Sequence, residues 1–298
     1  MSQSDPHLFG VTGVTGVVGG SVAARLAERG LRQRLIVRDL SKVPALPNAE
    51  VAQASGYGDA DAMTQALRGV ETLFLVSGRE DADRLQQHYT AVDAAVAAGV
   101  ERIVYLSFLS AAAGASFTLA RQHFHTEEYI RASGLAFSFL RSSLYADFVP
   151  YLFGEDGVVR GPAGNGRASY VTRDDVVDVA AVVLTSAGRH DGQTYNNTGS
   201  EALTLTETAA LLSEFVGRPL SYHQETLEEA KQSRAVYNAP EFIVEGWIST
   251  YTAIANGEMS LISGDVERVT GHRAQSLGDF LRQHPESYQQ LLKKPDAP

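Results

Sequence analysis

The chain has no cysteine, a single tryptophan and few lysines, which stand at Lys42, Lys231, Lys293 and Lys294. The missing thiol excludes disulfides, thiolate metal sites and a redox CxxC pair. The scarcity of lysine excludes more. In one common dehydrogenase chemistry a tyrosine acid is followed four residues later by a lysine, whose ammonium lowers the phenol pKa. Here the residues four positions before the lysines are Arg38, Leu227, Gln289 and Gln290, so no Tyr-x-x-x-Lys exists. A Gly-x-Ser-x-Gly elbow and a Gly-x-x-x-x-Gly-Lys loop are also missing, which leaves serine hydrolase and P-loop NTPase without support. No apolar run approaches the length of a membrane span, and residues 1–10 lack a basic start followed by a long apolar core. These absences lead to the expectation of a cytoplasmic protein with no membrane partner. The net charge of −10 argues against nucleic acid, whose phosphates call for a basic face.

What is present is ordinary globular usage: 298 residues, 44% hydrophobic and 20% charged, enough for one large domain or two. The informative stretch is Val11-Thr12-Gly13-Val14-Thr15-Gly16-Val17-Val18-Gly19. A short apolar run from His7 precedes it, and Val22, Ala23, Leu26 and Ala27 follow at helical spacing until Gly30. A strand feeding a helix through three glycines is a phosphate-binding turn. Gly13 permits the bend, Gly16 lets backbone N–H groups approach a pyrophosphate, and Gly19 lets the helix pack on the sheet. The implied ligand is a dinucleotide.

Strand and helix then alternate. Strands are expected at Leu35–Val37, Val51–Ala54, Val70–Val76, Arg102–Leu106 and Ala136–Leu140, and helices at Ala60–Leu67, Asp83–Ala98 and Leu119–Arg131. A helix over Asp174–Leu184 and a strand over Gln193–Asn197 return after a glycine- and proline-bearing break at Phe148–Arg167. A further helix opens at Thr204-Leu205-Thr206-Glu207, with Thr206 as its expected cap, and a helical pair precedes a frayed tail at Lys293–Pro298. The fold class is α/β, a Rossmann-like doubly wound parallel sheet with a smaller C-terminal α/β substrate domain. Residues 1–150, joined by about 172–198, are expected to bind the dinucleotide; 151–171 and 199–298 form the second domain.

In such a sheet ligands sit at the carboxyl ends of the strands. Here these are the glycine turn, Arg38, Tyr57, Val76 with Ser77, Ser107 and the residues after Arg141. The second strand ends on Arg38-Asp39, where an acid would accept from a ribose 2′-hydroxyl and a guanidinium would pair with a 2′-phosphate. Arg38 leaves the apolar run directly, with Lys42 close behind, which favours NADP(H) over NAD(H). The alternative is a solvated basic rim of Arg29, Arg32, Arg34 and Arg38. Tyr57 either lies against adenine or is a half-buried loop aromatic. On the helix before the sixth strand, His123 and Glu127 stand at i, i+4, so a carboxylate could orient or charge the imidazole. The other reading is that His123 and His125 are partly exposed helix histidines. No metal is expected, because His123 and His125 point to different sides of one helix.

Taken in order, several stretches resemble the NmrA-like branch of atypical short-chain dehydrogenases, and among them the type 2 NAD(P)H:quinone oxidoreductases and triphenylmethane reductases. They are Val11–Gly19, Leu35–Asp39, Tyr57-Gly58-Asp59, Ala94–Ser107, His123 through Thr126-Glu127 to Arg141, Thr172–Asp175 and Val269-Thr270-Gly271. One departure is Gly56, where the family carries an acid before the tyrosine. The resemblance implies that Gly13, Val14, Thr15, Gly16, Val17 and Val18 hold the pyrophosphate and Arg38 the 2′-phosphate. Ser142, Ser143 and Leu144, within the segment to Asp147, would line the nicotinamide side, and His123 would take a catalytic position. Hydride transfer to an electrophilic quinone needs little acid help, and His123 or Tyr145 would donate to the developing oxyanion. Phe108, Leu109, Tyr145, Phe148 and Trp247 would form a slot for a flat substrate, with Trp247 alternatively in the small-domain core. The expected activity is flavin-free, NADPH-dependent reduction of a quinone or similar conjugated electrophile, in a possible homodimer. The alternative is a non-catalytic NAD(P)-sensing regulator of the same family; a nucleotide-sugar epimerase is weakened by the missing Tyr-Lys pair.

Overall fold

The computed structural model describes residues 7–186 and 188–292; the tail expected at 293–298 lies outside them. Short apolar runs form strands and amphipathic runs form helices in the sequence β1 (Leu8–Thr12), α1 (Val17–Glu28), β2 (Arg32–Val37), β3 (Ala49–Gln53), α2 (Ala60–Leu67), β4 (Thr72–Val76) and α3 (Arg84–Ala98). The chain continues through β5 (Arg102–Phe108), α4 (Thr118–Ala132), β6 (Ala136–Ser142), β7 (Val158–Gly161), β8 (Arg167–Ala168), α5 (Arg173–Thr185) and β9 (Gln193–Asn197).

One sheet has the order β3-β2-β1-β4-β5-β6-β9. The pairs from β3 to β5 are parallel, with Val11 opposite Leu35 on one side and Phe74 on the other. The chain moves outward from β1 to β3 and then returns to the other side of β1. The strand order therefore reverses between β1 and β4, which opens a crevice at their carboxyl ends. Residues of β4 are buried on both faces, as a covered parallel strand requires. Leu67, Leu73, Leu75, Val92, Ile103, Tyr105 and Phe139 pack together in the core beside the sheet. The Rossmann-like α/β class is as the sequence led one to expect.

Two compact units divide the chain. The first comprises 1–108, 122–141 and 176–195, and the second 109–121, 142–175 and 196–298. Residues 109–121 and 142–150, grouped by sequence with the dinucleotide half, cluster with the second unit. In that unit β7 runs parallel to β11 (Ser221–Gln224) and β8 antiparallel to β10 (Leu203–Thr204). Its helices are α6 (Leu205–Val216), α7 (Leu227–Arg234), α8 (Glu241–Ala255), α9 (Asp265–Thr270) and α10 (Leu277–Gln283). The cap of α6 is Thr204 rather than Thr206. Its hydroxyl accepts from the Glu207 amide while the Glu207 carboxylate accepts from the Thr204 amide, a reciprocal pair that Thr206, one residue before Glu207, does not make.

Candidate functional site

The crevice between β1 and β4 opens into a groove of ≈ 810 Å³ in the first unit. Gly13, Val14 and Thr15 line it, together with Arg38, Tyr57, Val76, Ser77 and Gly78. Gly13 has φ +65°, and a Cβ there would stand 2.9 Å from Val76 Cβ. Gly16 is the N-cap of α1 and has no side-chain cap, and no acidic residue occupies the first turn. The first amides of α1 therefore keep their donors, next to the positive end of the helix dipole. A Cβ on Gly19 would lie 2.4 Å from the Gly13 carbonyl oxygen, so glycine lets the helix start against the turn. These residues fit a pyrophosphate: donors, a positive dipole end and no side chain in the approach path.

At the end of β2 the two candidates separate. Asp39 accepts from Ser41 N at 3.0 Å and from Ser41 Oγ at 2.7 Å, and its other oxygen lies 3.6 Å from Lys42 Nζ. The Ser41 bonds hold its carboxyl below the usual range. Asp39 and Lys42 are occupied with each other and do not line the groove, whereas Arg38 does. Among the described residues no carboxylate lies within ion-pair distance of the Arg38 guanidinium. Arg34 pairs with Glu50, and Arg29 donates to Ala181 O and Thr185, so both serve structure. The Tyr57 hydroxyl donates to Val76 O at 2.6 Å and contacts Thr12 Oγ1 at 2.8 Å, and burial pushes its pKa up to about 12.

His123 is buried in the same unit, and its partner is not Glu127. The Glu127 carboxylate takes a bidentate pair from Arg141, at 2.9 Å from Nε and 2.6 Å from Nη2, and a third bond from Ser107 Oγ at 2.6 Å. A planar guanidinium matches both carboxylate oxygens, so it captures the acid from the neighbouring helical turn. Ser107 is thereby turned to Glu127 and does not line the groove. His123 Nε2 faces Arg84 Nη2 at 3.0 Å, and Nδ1 faces the Tyr105 hydroxyl at 2.9 Å. A guanidinium only donates, so Nε2 accepts and the ring proton sits on Nδ1. Burial, with Arg84 beside it, holds the pKa well below the ordinary histidine value and keeps the ring neutral. His125 is exposed on the other side of the helix.

In the second unit, Arg173 stacks over the rings of Tyr145 (5.5 Å) and Phe148 (5.1 Å) while its Nη1 reaches Asp147 Oδ1 at 3.2 Å. Burial pushes the Tyr145 phenol up to about 12. Ser143 N donates to Asn197 O at 2.9 Å, Leu144 O accepts from Val171 N, and Ser142 is buried. Leu109 is buried, and Trp247 meets Tyr237 edge to face with centroids 5.7 Å apart.

Residues 7–277 match the NmrA-like family. The chain belongs to it. This NmrA-like chain is 32% identical to quinone oxidoreductase 2 of Escherichia coli strain K12, across 91% of its own length and 96% of that protein's. Among solved structures it is similar to an NADPH-dependent quinone oxidoreductase from Escherichia coli complexed with NADPH, with a TM-score of 0.84, 31% identity, and 92% and 99% of the two chains covered. A second is a triphenylmethane reductase from Citrobacter sp. complexed with NADP(H), with a TM-score of 0.82, 31% identity and the same coverage of 92% and 99%.

Two buried side chains of the first unit were not legible in the sequence: Arg84 and His88. Both lie on the stripe of α3 that also buries Ala91, Val92 and Ala95. A charged and a titratable residue at core spacing on an alanine-rich helix was the available signal.

Proposed function

We propose that this NAD(P)H-dependent oxidoreductase takes NADPH in the groove of its first unit and reduces a quinone or similar conjugated electrophile without flavin. The observation that carries the cofactor choice is the contrast at the end of β2: Arg38 lines the groove with no carboxylate on it, while Asp39 is tied to Ser41 and Lys42. The turn from Gly13 to Val18 cradles the pyrophosphate, the Arg38 guanidinium pairs with the 2′-phosphate, and Val76 and Ser77 close the groove wall.

Bound NADPH supplies the hydride. The chain's own work is to hold it, exclude water and offer a donor where negative charge develops on the acceptor. Tyr145 is the better donor. Its phenol, pushed up to about 12, keeps its proton at neutral pH, whereas the His123 N–H is already given to Tyr105. Phe148 and the Arg173 guanidinium beside it offer stacking surfaces for a flat acceptor. Ser142, Ser143 and Leu144 serve the nicotinamide side in this reading, and His123 acts through its neighbours rather than on substrate.

The test is anaerobic oxidation of NADPH by flavin-free protein across a panel of quinones. Turnover is expected with at least one quinone, and Tyr145→Phe lowers kcat about tenfold with NADPH affinity unchanged. Binding of NADPH with no acceptor accelerating its oxidation supports instead a dinucleotide sensor. An unchanged kcat in Tyr145→Phe removes that residue from the chemistry.

A further inference from the structure

The wall of the groove at the end of β4 is fixed by side chains. Val76 N donates to Thr12 Oγ1 at 2.9 Å, and Val76 O accepts from the Tyr57 hydroxyl at 2.6 Å. Two residues on, Gly78 N donates to His88 Nε2 at 2.8 Å and Gly78 O accepts from Arg84 Nε at 2.7 Å. Beyond Thr12 strand β1 has turned away into the glycine loop, so the polar backbone on this side of β4 has lost its neighbour in the sheet. Side chains take over the pairing. Thr12 and Tyr57 hold one residue, and the first two turns of α3 hold the other.

Arg84 and His88 are themselves locked. Arg84 is 2% exposed, and among the described residues no carboxylate lies within ion-pair distance of it, although Glu80 attracts it from farther away. Its Nη1 and Nη2 donate to Gln122 Oε1 and His123 Nε2, both at 3.0 Å. His88 must accept at Nε2, because the Gly78 amide only donates, so its proton is on Nδ1, 3.1 Å from Thr126 Oγ1. A buried cation with no carboxylate in direct contact is costly, and hydrogen bonds to its donors offset that cost. The Gly78 carbonyl meets one of them and is held in return.

We propose that Arg84 and His88 are positioning residues for the cofactor groove: they clamp Gly78 from within the core and so set the wall that NADPH binds against. The inference rests on the reading of this groove as the NADPH site. It gives His123 a place as well, as the acceptor that orients Arg84.

The experiment is titration of NADPH into wild-type protein, His88→Leu and His88→Gln, each checked for folding by circular dichroism. Leucine leaves the Gly78 amide without an acceptor, and the NADPH Kd is expected to rise about tenfold. Glutamine carries an acceptor at nearly the Nε2 position and is expected to stay within about twofold of wild type. A role in core packing alone does not predict that rescue. Should His88→Leu fail to fold, Gly78→Ala presses on the same contact from the groove side. Its Cβ would stand 3.3 Å from His88 Nε2, and the Kd should rise several-fold. Folded His88→Leu that binds as tightly as wild type, or His88→Gln as weak as His88→Leu, overturns the clamp. An unchanged Kd in Gly78→Ala also overturns it. Wild-type protein that binds no NADPH overturns the groove reading and the clamp together.

Discussion

Replacing Arg38 with alanine is expected to weaken NADPH binding about thirtyfold and to leave NADH binding within about twofold of wild type. The asymmetry follows from what each cofactor presents at the end of β2. A 2′-phosphate gains a charge-assisted pair with a guanidinium that lines the groove and has no carboxylate partner among the described residues. A ribose 2′-hydroxyl needs an acceptor, and the nearest acid in sequence, Asp39, is committed to Ser41 and Lys42. Arg38 is solvent-exposed, so the effect falls short of that of a buried pair and shrinks as salt rises. Calorimetric titration of both cofactors at two ionic strengths measures the difference. Equal losses for NADPH and NADH would mean that Arg38 supports the loop rather than the phosphate.

The second large effect is at Gly19. In Gly19→Ala the new Cβ would meet the Gly13 carbonyl oxygen at 2.4 Å and the Thr12 oxygen at 2.7 Å, and both are backbone atoms with no rotamer to retreat to. Either the start of α1 or the turn must move, at a stability loss of about 2–3 kcal/mol. That corresponds to a fall of roughly 4–12 °C in Tm for a domain of this size. Because the first amides of α1 shift with the helix, NADPH binding drops out of the measurable range even where the protein stays folded. Gly16→Ala is the control. Its Cβ would stand 3.3 Å from the same oxygen, so the change in Tm should be clearly smaller. Thermal melts alongside NADPH titration separate the two variants, and a Gly19→Ala protein with native Tm and affinity would contradict the proposed packing of the turn.

Much of the fold was legible because its signals are local. The glycine turn, the alternation of apolar runs and the helix over Ala60–Leu67 depend on neighbours in sequence, and periodicity reports neighbours. The carboxyl ends of the strands followed from the same alternation, which is how Arg38, Tyr57 and Ser77 could be named as groove residues. The site was less legible where a side chain had two possible partners and the better one was distant. Glu127 stands one helical turn from His123, yet Arg141, arriving from β6, offers a bidentate match that a histidine cannot equal. Ser107, at a strand end, is drawn to the same carboxylate and away from the groove. Asp39 looked like a ribose ligand by position, and only the turn at Leu40–Lys42 shows that it caps its own backbone. Arg84 and His88 were hidden because their partner is the backbone of Gly78, which carries no sequence signal of its own.

The central claim, direct hydride transfer from NADPH held by this chain, is tested most directly by anaerobic single-turnover mixing of flavin-free protein, preloaded with NADPH, against a quinone. NADPH deuterated at one or the other C4 position serves as the probe. The prediction is rapid loss of the reduced-nicotinamide absorbance without any flavin signal, slowed by deuterium at only one of the two positions. Absorbance that persists with every acceptor, or oxidation that requires added flavin, would contradict it.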